Sequence, residues 1–312
     1  MADHLKQFIS DTLILAEPSR EENELQLVVS KLEERFGDKI IAVLLYGSYL
    51  RGARDTLIDF YVIVDNYKKL FDSDLESVGA LMMPPNVYYL DVNTGDTIVR
   101  AKYSVISAGK LLKQVGSFHP YFWARMVQPS RLVLLRERSD QKMIVDIVGR
   151  AAETFIKRII PMVPGIYNPD LFWNTGFSLT YKAELRAESS SKISSIFSYD
   201  PQYYSKILAL VMETGRFAIN RTADELRYTS NRKKRSLRAS VFWVWTIFFG
   251  KALSLVRLVK GALTFEGAVD YILWKIERHS GIKVEATDRQ RRYPLLFAWP
   301  LLWKLLRLRA FR

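Results

Sequence analysis

The sequence predicts an α/β protein: a small mixed sheet with helices, then a mainly helical region, then a C-terminal helical segment. Three observations carry this prediction. Residues 39–46 and 58–64 are short apolar runs with β-branched side chains, the pattern of strands buried on both faces. Residues 86–92 and 97–106 read as two further strands around Asn93, Thr94, Gly95 and Asp96, which is hairpin chemistry. From Ser107 onward helical spacing takes over.

Taken in order, residues 4–36 hold two helical patterns that meet at a break around Pro18 and Ser19. The second sets Leu25, Val28, Val29, Leu32 and Phe36 on one face, and Gly37 ends it. A sheet of about four strands follows, interrupted at 65–86 by an irregular segment that is first acidic and then carries Pro84 and Pro85. Helices are predicted over 107–115, 139–160, 169–188 and 201–217, with a serine-rich loop at 189–195. The expected division is 1–135, 136–237 and 238–312.

Composition narrows the chemistry. The chain has 312 residues, 49% of them hydrophobic and 25% charged, which is globular. With 46 Lys and Arg against 33 Asp and Glu, the net charge is +13, so the expected partners are anionic: nucleotide, nucleic acid or a phospholipid surface. The absence of cysteine excludes disulfides, thiolate metal sites and cysteine nucleophiles. Three histidines, His4, His119 and His279, speak against a multi-histidine metal site. The first residues predict neither a secretory signal nor an Arg-rich transit peptide.

Two stretches have membrane-surface character. Residues 239–251 hold about a dozen apolar positions before a charge, where a spanning helix needs roughly 20, so this Trp- and Phe-rich segment is predicted to lie in the headgroup region or in the core. Residues 294–312 combine leucine and tryptophan with Lys304, Arg307, Arg309 and Arg312 and no acid, predicting interfacial contact there.

The candidate chemistry lies in residues 44–64, LLYGSYLRGARDTLIDFYVIV. Gly47 permits a tight turn after a strand, and Ser48 and the following amides can bind phosphate oxygens. Asp59 on the next strand can reach a divalent ion, Mg2+, held between phosphates, while Arg51 and Arg54 add positive charge. This is nucleotidyltransferase logic, with one departure: the usual Asp-x-Asp pair is reduced to Asp59, because Leu57 occupies the first position. A further metal ligand is sought on a neighbouring strand, at Asp91 first and Asp96 next.

Three blocks together resemble one family, the mitochondrial-type phosphatidate cytidylyltransferases of the translocator assembly and maintenance group. The first is Tyr46-Gly47-Ser48 with Leu57-Ile58-Asp59-Phe60 and Val64, where the family similarly shows an apolar residue in place of the first acid. The second joins Lys102-Tyr103-Ser104-Val105-Ile106-Ser107 to Ala124-Arg125-Met126-Val127-Gln128-Pro129. The third is Leu263-Thr264-Phe265-Glu266-Gly267 with Asp270-Tyr271-Ile272, Lys275-Ile276 and Arg278-His279-Ser280-Gly281.

The resemblance implies a nucleotidyltransferase-type domain, a winged-helix-like helical domain and a membrane-contacting C-terminal helix. It implies Mg2+-dependent conversion of CTP and phosphatidate to CDP-diacylglycerol and pyrophosphate. In that picture Lys102 neutralises triphosphate charge, Arg125 clamps CTP or the lipid headgroup, Lys275 and Arg278 meet lipid phosphate, and Trp303, Lys304 and Arg307 touch the membrane. The partners are CTP, phosphatidate and an anionic membrane surface, with no stable nucleic acid. The expected location is peripheral, on the cytoplasmic face of a membrane or, in a eukaryote, the matrix face of the mitochondrial inner membrane. Two other readings stay open: nucleotidyl transfer to RNA, protein or a small alcohol, and a catalytically silent membrane-binding protein.

Overall fold

The structure, a computed structural model, describes residues 3–19, 22–54, 56–67, 84–93, 98–163, 165–184, 190–214, 219–221, 228–230, 236–264, 269, 273 and 284–292. Helices α1 (Asp3–Thr12) and α2 (Asn23–Phe36) open the chain. Helix α2 buries Leu25, Val28, Val29, Leu32 and Phe36, the face its spacing predicts.

Five strands form the main sheet: β1 (Ile40–Tyr46), β2 (Ile58–Val64), β3 (Asn86–Asn93), β4 (Ile98–Ser107) and β5 (Arg131–Leu135). Their order is β3-β4-β2-β1-β5, with β2 and β4 parallel and every other neighbouring pair antiparallel. The sequence predicts about four strands; the fifth, β5, is a short edge partner of β1. Arg131 at its start reaches back to Glu22 at 2.7 and 3.0 Å, and this pairing holds the Glu22 carboxyl down at about 2.

Because side chains alternate along a strand, each face of the sheet has its own core. One face packs Val43, Leu45, Phe60, Val62, Tyr103 and Val105 against α2. The other carries Leu44, Tyr61, Ile63 and Ile106 under α1, α3 (Ala108–Gln114), α4 (Trp123–Met126) and α5 (Gln141–Ile159). The same core continues into α6 (Pro169–Lys182), α7 (Ser190–Tyr199) and α8 (Pro201–Met212). At its centre the Phe155 ring stacks on Trp173 at 4.7 Å and meets Trp123 edge-on at 5.7 Å.

Two features of the helical region differ from expectation. The serines predicted as a loop at 189–195 belong largely to helix α7, because Ile193, Ile196 and Phe197 recur at helical spacing and turn into the core. A second sheet, β6 (Ile166–Tyr167), β7 (Ile219–Arg221) and β8 (Tyr228–Ser230) in the order β6-β8-β7, has strands too short to leave a periodic trace.

Helix α9 (Leu237–Thr264) runs beyond the predicted apolar run, and a short helix α10 (Asp288–Arg292) follows. Its stretch Leu237–Arg257, mean hydropathy 1.6, is long and apolar enough to cross a membrane by length and composition. One face is nonetheless tied to the protein. Trp243 and Thr246 are buried, Trp243 Nε1 donates to the Arg158 carbonyl at 3.3 Å, and Gly250 lies directly on the Ala183 carbonyl, where any larger residue would collide. The opposite face exposes Val241, Val244, Trp245, Phe248 and Phe249, with the Trp245 and Phe249 rings stacked at 5.5 Å.

Candidate functional site at the end of the sheet

One register row crosses the sheet through Tyr46, Asp59, Lys102 and Tyr89. Residues paired across strands point to the same face, here the face covered by the helical region. The chain leaves β1 at Tyr46 and turns at Gly47, whose φ of 88° lies in the left-handed region. A Cβ at Gly47 would sit 2.9 Å from Asp59 Oδ2, so only glycine lets the turn close onto that carboxylate.

Lys102 Nζ stands 3.0 Å from Asp59 Oδ1. The contact is an ion pair whose geometry makes no hydrogen bond to Oδ1, and that oxygen is buried. A single carboxylate whose buried Oδ1 is held by an ion pair and no hydrogen bond fits Mg2+, which takes one or two carboxylates and fills its remaining positions with water and substrate phosphates. Among the described residues no three His, Cys, Asp or Glu side chains cluster to hold a metal by themselves.

The turn beyond Gly47 is self-contained. The amides of Arg51 and Ala53 donate to the Ser48 carbonyl and that of Gly52 to the Tyr49 carbonyl, so these three are spent inside the turn and do not serve phosphate as the sequence suggests. Ser48 Oγ and Thr56 Oγ1 are 2.9 Å apart, and Arg54 lies 4.7 Å over the Tyr49 ring. Tyr199 in α7 donates to the Leu50 carbonyl at 3.0 Å, fastening the turn to the helical region. Arg51 reaches the electrostatic surroundings of Tyr181 and Tyr204 in that region.

Arg125 enters from α4. Its guanidinium forms a bidentate pair with Glu184 at 2.6 and 2.8 Å and donates to the Tyr121 carbonyl at 2.9 Å. Burial opposes its charge, but Glu184 outweighs that and lifts its pKa well above the ordinary arginine value. The structure therefore commits to Glu184 the donor fork that the sequence offers to CTP or a headgroup. Tyr46 and Tyr61 stack at 4.6 Å beside this pair, and burial, then for Tyr46 the Asp59 carboxylate, holds both phenols protonated.

Asp91 is not brought to the site. It lies on β3, two strands and one register step from Asp59, opposite Arg100 at 3.8 Å. At roughly 4.8 Å per strand the separation is about 10 Å or more, too far to share an ion. Asp96, Lys275, Arg278, Trp303, Lys304 and Arg307 lie outside the described residues.

Three residues that the sequence did not single out complete the surroundings: Glu184, Tyr121 and Arg257. The Arg257 guanidinium lies 4.2 Å from the Tyr121 ring centroid, as does that of Arg125. With Lys102 and Arg51 this makes four cations against the carboxylates Asp59 and Glu184, an excess that favours an anionic ligand. Only a long-range partner distinguishes Glu184, and no local pattern in the sequence marks it.

His119 is buried in the same cluster, and its Nδ1 accepts from the Tyr121 amide at 3.2 Å. Burial, helped by the Arg257 charge, lowers its pKa from 6.5 to about 4. The folded protein then binds fewer protons than the unfolded chain between these values, so stability falls as pH drops from 6.5 toward 4. His119→Asn is expected to remove up to about 3 kcal/mol of that acid-side loss, read as the urea midpoint of both proteins at pH 7 and pH 4.5. Parallel losses in the two proteins would contradict it.

Compared with known proteins, the chain matches no family model, and no curated protein resembles it at a significant level.

Proposed function

We propose that the protein is a peripheral membrane nucleotidyltransferase that makes CDP-diacylglycerol from CTP and phosphatidate. The observation that carries this is the closure of Gly47 onto Asp59 with Lys102 3.0 Å away on the parallel neighbouring strand. A glycine turn, one carboxylate and one ammonium at a shared strand end suit a triphosphate. The order helix α5, strand β6, helices α6 to α8, then the β7-β8 pair supports a winged-helix-like second part.

Asp59 Oδ1 would hold Mg2+ against the triphosphate, and the ion would supply charge neutralisation of the leaving pyrophosphate. Lys102, freed from Asp59 by that exchange, would pair with a phosphate oxygen. The phosphatidate phosphate is already an oxyanion near neutral pH, its second ionisation falling near 6. It therefore attacks the α-phosphorus without a general base: the new phosphate-oxygen bond forms in line as the bond to the β-phosphate breaks, and pyrophosphate departs with the electron pair. Among the described residues Glu184 is committed to Arg125, which leaves Asp59 to the metal and suits an acceptor that needs no base.

A lipid acceptor requires docking, and the exposed face of α9 supports it. Trp245, Phe248 and Phe249 stand out from the protein, with Arg238 and Lys251 exposed on the same helix. Aromatic rings flanked by cations favour the headgroup region of an anionic bilayer. The docked inner face of α9 argues for lying on the membrane instead of crossing it.

The test is incubation with labelled CTP, Mg2+ and phosphatidate vesicles, with a lipid-soluble cytidine product and pyrophosphate expected. Turnover without lipid would point to a soluble acceptor, and vesicle binding without pyrophosphate release to a silent binding protein. Gly47→Ala is expected to cost about 1–2 kcal/mol of stability from the left-handed backbone alone. Its Cβ also displaces the Asp59 carboxylate, so turnover should fall far more than the melting temperature indicates; full activity would rule out the site as described.

A further inference from the structure

We infer that Arg257 forms a second anion subsite, adjoining the one at Asp59 and Lys102, which takes the phosphomonoester group of the acceptor. The inference rests on the proposed transfer to a lipid phosphate and adds to it the residue that recognises that phosphate.

The guanidinium of Arg257 is held inside the protein with its Nε and Nη1 buried and without a hydrogen-bond partner. Of its neighbours, Glu184 has both oxygens bonded by Arg125, and Tyr121 has its ring centroid 4.2 Å from the guanidinium. Arg125, by contrast, spends three of its five N–H donors on Glu184 and the Tyr121 carbonyl, while Nε and Nη1 of Arg257 both lack a hydrogen-bond partner. Burial lowers the pKa of Arg257, yet arginine remains a cation at neutral pH.

One further buried group in its electrostatic surroundings lacks a hydrogen-bond partner, Tyr61 Oη. The guanidinium and the phenol O–H are thus both buried, without a hydrogen-bond partner and able to donate. Such a set selects an oxyanion, and the planar fork of arginine favours the two-oxygen contact that phosphate offers.

The placement of Arg257 separates the acceptor from the nucleotide. Arg257 stands on the inner face of α9, and the outer face of that helix bears Trp245, Phe248 and Phe249. A phosphate held by Arg257 is therefore held by the helix proposed to lie among lipid headgroups. Tyr61 lies two residues beyond Asp59 on β2, on the same face, and stacks on Tyr46 at 4.6 Å, which sets it beside the proposed triphosphate end of the sheet.

The experiment uses the full chain and the variants Arg257→Gln and Arg257→Lys, with two soluble probes: a short-chain phosphatidate and CTP with Mg2+. Arg257→Gln is expected to weaken phosphatidate binding by about tenfold to a hundredfold, with Arg257→Lys recovering part of it and CTP affinity unchanged. Unchanged phosphatidate affinity in Arg257→Gln overturns the inference. Equal losses for CTP overturn it too, by assigning the anion to the nucleotide. Independently of any variant, the short-chain phosphatidate should raise the melting temperature of the wild-type protein, and its phosphate methyl ester, which lacks the monoester, should not. Equal stabilisation by both overturns the subsite. Failure of the transfer reading has a different signature: no CTP binding by the wild-type protein, with monoester binding and its Arg257 dependence intact.

Discussion

Asp59→Asn is expected to lower Mg2+-dependent pyrophosphate release by about a thousandfold or more, leaving vesicle binding unchanged. The size follows from the several kcal/mol of transition-state charge stabilisation that a metal contributes, at about 1.4 kcal/mol per decade of rate. Asparagine preserves the shape of the side chain beside Gly47, so the turn should survive. The Lys102 pair is lost as well, but with both side chains partly exposed that contributes about 1 kcal/mol or less. A large fall in melting temperature, or loss of vesicle binding, would show that Asp59 supports the fold instead of the reaction.

Glu184→Gln should be the most damaging single substitution for stability near the site. Glu184 and Arg125 are each only 19% exposed, and their bidentate pair is the sole carboxylate contact of Arg125 among the described residues. Removing one partner of such a pair costs about 3–5 kcal/mol, because the remaining charge stays buried. The urea midpoint at pH 7 reads the loss. Changing Arg125 and Glu184 together to methionine is expected to restore most of it, since the uncompensated charge goes too. A loss under about 1 kcal/mol for Glu184→Gln would mean that water screens the pair.

What could be read from the sequence is what short-range periodicity encodes. The buried face of α2, the doubly buried β1 and the β3-β4 hairpin each declare themselves within a dozen residues. The turn at Gly47 and the acid at Asp59 could also be placed, since strand alternation fixes the face each residue takes. Alternation says nothing about lateral distance, however, and Asp91 illustrates the difference: it shares a face with Asp59 but lies across β4, against Arg100.

The rest depended on partners far apart in the chain. Arg125 meets Glu184 59 residues away, and Arg131 meets Glu22 109 residues away, with no local pattern announcing either pairing. Strand β5 has only five residues, four of them apolar, and is identified by the β1 edge it completes. Arg257 reads in the sequence as one of the charges that follow the apolar segment 239–251; its unsatisfied donors exist only once α9 lies against Tyr121.

A single aromatic core runs from under Leu44 and Tyr61 on the sheet through Trp123 and Phe155 to Trp173, Tyr204 and Trp243. Among the described residues no seam separates the strands bearing Asp59 and Lys102 from the helices above them. The two layers should therefore gain and lose order cooperatively, with amides of β2 and α6 exchanging with solvent through the same opening. The turn at Gly47 inherits its rigidity from residues far along the chain, so a cavity cut at Trp173 would loosen the carboxylate without touching it.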